Sequence, residues 1–203
     1  VLARERGAAA GLDGRVESLC CDYRDIAGQY DAIVSIEMFE AVGAAYFGAF
    51  FNACDRALKP GGRMAMQTIS VPDRSFASMR DGVNWIQKYI FPGGLLPSIA
   101  ELERALRDTR LVITGVEDIG PHYAITLRRW REAFMARLPA VRALGFDDRF
   151  IRMWEYYLAT SEAGFLTRNT GDLQVVFEKP AGRARPAWGR EHREEPASQP
   201  ASG

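Results

Sequence analysis

Apolar and polar positions change period several times along the chain. RVESLCCD (15–22), YDAIVSIE (30–37), GGRMAMQTIS (61–70), LVITGVEDIG (111–120) and LQVVFEK (173–179) are apolar runs of strand length. Between them the spacing becomes helical. Tyr46 to Leu58 is rich in aromatic residues and alanine, and Lys59-Pro60-Gly61-Gly62 stops it. In SIAELERALR (98–107), Ser98 is an N-cap and Glu101 sits three residues on, which predicts a capping box with Ile99, Leu102 and Leu106 on one face. Leu127, Trp130, Phe134 and Leu138 make another helical stripe, and Phe150 to Phe165 a further helix. Strands alternating with helices predict an α/β domain with a mostly parallel sheet. Ligands bind such sheets at the carboxyl ends of the strands. That rule singles out SIEMFEAVG (35–43), where Glu40 lies just past an apolar strand.

A chain of 203 residues suffices for one substantial core. From Ala181 onward, AGRARPAWGREHREEPASQPASG has too few apolar residues to offset its ordering entropy, so 181–203 is expected to be a disordered tail behind a folded 1–180. Lys plus Arg number 26 and Asp plus Glu 26, with no basic stripe, so no nucleic-acid partner is expected. Cys20, Cys21 and Cys54 form no even framework and read as free thiols in a reducing compartment. His122 and His192 are too few for a histidine metal site. With no apolar run of about 20 residues and no secretory pattern at the start, a soluble cytoplasmic protein is expected.

Six segments carry a resemblance: DYRD (22–25), DAIVSIEMFEAVG (31–43), LKPGGRMAMQTI (58–69), WIQKYIFPGGLLPS (85–98), GPHYAITLRRW (120–130) and FIRMWEYYLATSEAGF (150–165). In this order the chain resembles the cyclopropane-fatty-acyl-phospholipid synthases and mycolic acid cyclopropane synthases, which are S-adenosylmethionine-dependent methyltransferases. The resemblance implies a Rossmann-like class I methyltransferase sheet, truncated at its N-terminus so that the first two strands and the glycine-rich cofactor loop are missing. It places Asp22, Tyr23 and Arg24 at the adenine pocket, with Ser35 also on the cofactor side. Glu40, Gln67, Tyr123 and the backbone around Ile36 would hold a bicarbonate ion.

The implied reaction is methyl transfer to the double bond of an unsaturated phospholipid acyl chain, giving a cyclopropane fatty acid. An alkene attacking a sulfonium methyl leaves a carbocation, which needs a water-free apolar pocket and a nearby base. Trp85, Tyr89, Ile90, Phe91, Leu95 and Leu96 are candidates for the pocket wall or for sheet cover, and Gly93-Gly94 with Pro97 marks a bend. The best-known members carry histidine where this chain has Ala41 and Gln67. Glutamine cannot relay a proton, which brings in an alternative product with a methylene or methyl branch. Missing strands would leave RVESLCCD without a partner and YDAIVSIE with an exposed apolar edge. The chain alone is therefore expected to be a marginally stable, inactive fragment; a general small-molecule methyltransferase is the third reading. A phospholipid substrate implies peripheral contact with the inner membrane face, and homo-oligomer formation is left open.

Overall fold

The computed structural model describes residues 2–12 and 14–182. All but the first two residues of the expected tail lie outside them. Four strands, β1 (Tyr30–Ile36), β2 (Leu58–Ser70), β3 (Val112–Asp118) and β4 (Gly171–Glu178), form one sheet in the order β1-β2-β4-β3. Eight helices accompany them among the described residues: α1 (Leu2–Ala9), α2 (Phe47–Ala57), α3 (Asp73–Asp81), α4 (Trp85–Tyr89), α5 (Ile99–Ala105), α6 (Gly120–Ala136), α7 (Leu138–Ala143) and α8 (Asp148–Leu166).

The β1 and β2 strands are parallel, joined through α2, whereas β4 lies antiparallel between β2 and β3. Three strands thus share a direction, yet only one neighbouring pair is parallel. The cause is the excursion after β3: α6 leads away and α8 returns, so β4 begins beside the end of β3. There the Ile119 N–H donates to the Asp172 carbonyl at 2.8 Å.

Four of the five expected strands form. RVESLCCD does not; 15–22 is irregular, with Val16 and Leu19 exposed. A strand persists only where neighbours satisfy its backbone groups, and among the described residues none lies beside this one. The corresponding edge of β1 is open, leaving Val34 68% and Ile36 56% exposed. Ser98 does cap α5, accepting from the Glu101 N–H at 3.4 Å, but the Glu101 carboxylate pairs with Arg104 and does not close the box. The complete capping box starts α4, where Asn84 and Gln87 each accept from the other's backbone at 2.9 Å.

One face of the sheet, with Met64, Met66, Val175 and Phe177, buries against α2 and α5. Phe39, Phe47, Phe50 and Phe51 fill this core, the rings of Phe39 and Phe47 stacking at 4.3 Å. Lys179 is buried at the end of α2, donating to the carbonyls of Asp55 and Leu58, the latter at 2.7 Å, where the helix dipole favours a cation. On the other face the α6–α8 hairpin forms a second core of Ala124, Leu127, Leu158 and Phe165 against Ile69. Glu162 clamps that hairpin, accepting from Arg128 at 2.8 Å and Arg131 at 3.0 Å. The register sets Ile36 beside Gln67, Gln67 beside Gln174, and Ile69 beside Asp172.

Candidate functional site

The β1 strand ends at Ile36, and the chain turns sharply. Glu37 adopts a left-handed backbone, φ 52°, and its N–H donates to the Gln67 carbonyl at 3.0 Å. A 3-10 turn, Phe39–Ala41, follows, anchored by the fully buried Phe39. This brings Glu40 back over the end of β2. One Glu40 oxygen accepts from Thr68 Oγ1 at 2.7 Å and from the Ile69 N–H at 2.6 Å. The other is buried without a partner. Burial pushes the Glu40 carboxyl above its ordinary value despite the two donors, and the charge of Glu37 adds to the effect. The Leu95 N–H donates to the Glu40 carbonyl at 2.9 Å, tying the bend after α4 to the site.

Gln67 links three elements. Its Nε2 donates to Glu37 Oε1 at 2.9 Å and to the Tyr123 hydroxyl at 3.1 Å, and its Oε1 accepts from Gln174 Nε2 at 2.9 Å. Tyr123, near the start of α6, donates to the same Glu37 oxygen at 3.2 Å. Its ring packs on Phe165. Burial, with the carboxylates of Asp172 and Glu37 nearby, raises the Tyr123 phenol, so it remains a neutral donor. Gly120 permits this approach of α6, since a Cβ there would come within 2.9 Å of Asp118 Oδ1 and 3.3 Å of the Asp172 nitrogen.

Asp172, next to Ile69 in β4, is fully buried, and both its carboxyl oxygens lack hydrogen-bond partners. Burial, then the charge of Glu37, pushes its carboxyl up to about 7; Glu40 contributes in the same direction.

The expected residues Glu40, Gln67 and Tyr123 thus meet at one place. The register sets the Ile36 backbone beside Gln67 while its side chain lines an open groove at the sheet edge, and a backbone N–H donor to Glu40 comes from Ile69. Sequence reasoning missed Glu37, Thr68, Asp172 and Gln174. Two acidic residues three apart at a strand end were the available signal for Glu37. Gly171-Asp172 at a strand start reads only as a turn.

The groove beside β1 measures about 460 Å³ and is lined by Tyr23, Ser35, Ile36, Met38, Phe50 and Cys54 among others. Ser35 is buried with its hydroxyl unpartnered. Tyr23 stands edge-on to Phe50 at 5.5 Å. Asp22 accepts from Arg24 through side chain and backbone, and Arg24 holds its carboxyl down to about 2. Tyr23 and Arg24 also line a neighbouring recess of about 340 Å³ with Met38 and Tyr46. An aromatic and an orphaned hydroxyl in an apolar groove fit an adenosyl group. A bicarbonate ion does not fit the carboxylate cluster as it stands. Its expected donors, Gln67 and Tyr123, already serve Glu37, whose carboxylate would stand beside the anion.

In the aromatic segment, Leu95 enters the main core and Leu96 packs against it. Trp85 meets Tyr156 edge-on at 4.7 Å and Phe91 meets Tyr157 at 6.1 Å, while Tyr89 and Phe91 stay exposed. The bend is real, with Gly93 at φ 79°.

The family model described as mycolic acid cyclopropane synthetase matches residues 1–175. The chain is 52% identical over 165 residues to tuberculostearic acid methyltransferase UfaA1 of Mycobacterium tuberculosis, covering 81% of this chain and 39% of that protein. It is 38% identical over 181 residues to the cyclopropane-fatty-acyl-phospholipid synthase of Escherichia coli K12, covering 88% and 44%. The chain therefore spans less than half the length of these relatives. Among solved structures, mycolic acid cyclopropane synthase CmaA1 complexed with SAH and CTAB superposes with a TM-score of 0.71 at 26% identity, over 87% of this chain and 67% of that one.

Proposed function

Because the chain belongs to the mycolic acid cyclopropane synthetase family, we propose that it carries the proton-handling centre of an S-adenosylmethionine-dependent enzyme that methylates the double bond of an unsaturated phospholipid acyl chain. The observation that carries this reading is the hydrogen-bonded trio of Glu37, Gln67 and Tyr123, with Glu40 held on Thr68 and Ile69 beside it, next to the groove of Tyr23 and Ser35. S-adenosylmethionine, when bound, supplies an electrophilic methyl on a sulfonium. Asp22, Tyr23, Arg24 and Ser35 would hold its adenosyl part.

The protein's own residues have two tasks. The ring pairs Trp85–Tyr156 and Phe91–Tyr157 would lie along the acyl chain, whose cation needs water excluded around it. The carboxylate cluster accepts the proton that cation must lose. Proton loss from the new methyl closes a ring; a hydride shift from the methyl-bearing carbon to the cationic carbon, followed by proton loss from the methyl, gives a methylene branch.

A branched product is the leading outcome, supported by the higher identity to a protein named a tuberculostearic acid methyltransferase. The cyclopropane product is the second reading, supported by the synthases named for it. Among the described residues no helix is long and apolar enough to cross a membrane, so access to phospholipid would be peripheral.

The test is to express the gene containing this chain in a host with monounsaturated phospholipids and examine acyl chains by mass spectrometry and proton NMR. A one-carbon gain is expected, with methylene or ring protons naming the product. Acyl chains left unchanged would overturn the reading.

A further inference from the structure

Three carboxylates converge on this site, and they differ in what they touch. Glu40 spends one oxygen on Thr68 and Ile69 and buries the other. Asp172 is sealed in with no hydrogen bond at either oxygen. Glu37 alone is exposed, and it takes its two neutral donors on a single oxygen, Oε1. Ser35, Ile36 and Met38, which flank it in sequence, line the groove that fits the adenosyl group.

We infer that Glu37 is the built-in base of this site, seated on the Gln67 and Tyr123 donors that a bicarbonate ion would otherwise need, so that proton removal requires no bound anion. The inference rests on the methyl-transfer reading above and names the group that serves it.

The step balances without a redox partner. The alkene π pair forms the bond to the methyl carbon as the carbon–sulfur bond breaks and sulfur keeps its pair. A C–H bond of the new methyl then breaks and the proton passes to Glu37 Oε2; its pair closes the ring onto the cationic carbon or, after a hydride shift has moved the cation to the methyl-bearing carbon, forms the methylene double bond. From an exposed carboxylate it leaves to water.

Two further observations agree with this assignment. A glutamate at φ 52° carries backbone strain that glycine would avoid. Strain of this kind accumulates at functional positions, and here the strained residue is the one with the catalytic geometry. The negative charge an added anion would bring is already present: beside burial, the charge of Glu37 helps push both the Asp172 and the Glu40 carboxyl up.

The decisive variants are Glu37→Gly, which removes the carboxylate and relaxes the backbone, and Glu37→Gln, which keeps the size and loses the base. Binding of ¹³C-labelled bicarbonate to the chain is followed by NMR. Methyl transfer by the full-length enzyme is measured in carbon dioxide-depleted buffer with and without added bicarbonate. Wild type is expected to bind no bicarbonate and to work equally well without it. Both variants should lose activity on the order of a hundredfold, and Glu37→Gly should bind bicarbonate and regain about tenfold when it is supplied.

Bicarbonate binding or dependence in the wild type would overturn the inference, as would full activity in Glu37→Gln or no binding in Glu37→Gly. Absence of methyl transfer in every protein would instead refute the proposed function, and the binding measurement would still decide the role of Glu37.

Discussion

Glu40 and Asp172 both carry unpartnered buried oxygens, so substitution should affect them in opposite directions. Removing the Glu40 carboxylate strands the Thr68 hydroxyl and the Ile69 N–H. Glu40→Ala is expected to cost about 1–3 kcal/mol in urea unfolding, and Glu40→Gln, which keeps an acceptor, distinctly less. Asp172 has no bonds to lose. Its carboxyl is raised from 3.8 to about 7 in the fold, so native stability falls as pH rises through that interval and the buried group must ionise. Asp172→Asn cannot ionise. It should melt several degrees higher than the parent at about pH 8 and no higher at about pH 4, as thermal denaturation by circular dichroism would show. A parent stability unchanged between those pH values would contradict the assignment. Glu40 was legible in the sequence because a strand-end rule pointed to it. Asp172 was not, because its proximity to Glu37 and Glu40 arises only when β4 inserts beside β2.

Among the elements, α4 shows how a short helix is held. Five residues make too few internal bonds for independent stability, and the Asn84–Gln87 box supplies both missing partners. Asn84→Ala should cost about 1 kcal/mol and speed proteolysis between Trp85 and Phe91. The same segment spelled out its bend through Gly93 and Pro97 but not its cap, because a helix of only five residues shows no apolar period to mark where it starts. At the other side of the sheet, β1 presents Val34 and Ile36 along an unpaired edge. Such an edge templates pairing with other chains. Val34→Lys is expected to reduce self-association of the chain in light scattering with little change in melting temperature. Undiminished association would place the contact elsewhere.

At the scale of the molecule, no strand precedes β1 among the described residues, and the groove meets a ligand from the Tyr23 and Ser35 side. The chain alone should show no rise in melting temperature with S-adenosylmethionine, because ligand stabilisation requires affinity for the folded state. A clear rise would show that this groove suffices. Hydrophobic period was enough to locate β1 through β4 and the helices α2, α5, α6 and α8, because apolar spacing must match the pitch of the element that buries it. It misjudged RVESLCCD for the converse reason: apolar alternation permits a strand, but only a neighbour's backbone makes one. Motif order was likewise enough to nominate Glu40, Gln67 and Tyr123. The tertiary structure alone decided that Gln67 and Tyr123 turn to Glu37, and that Ile69 supplies a backbone donor to Glu40. Sheet register and the close seat of α6 on Gly120 set those distances, and neither is written in local sequence, since each depends on residues brought together from distant parts of the chain.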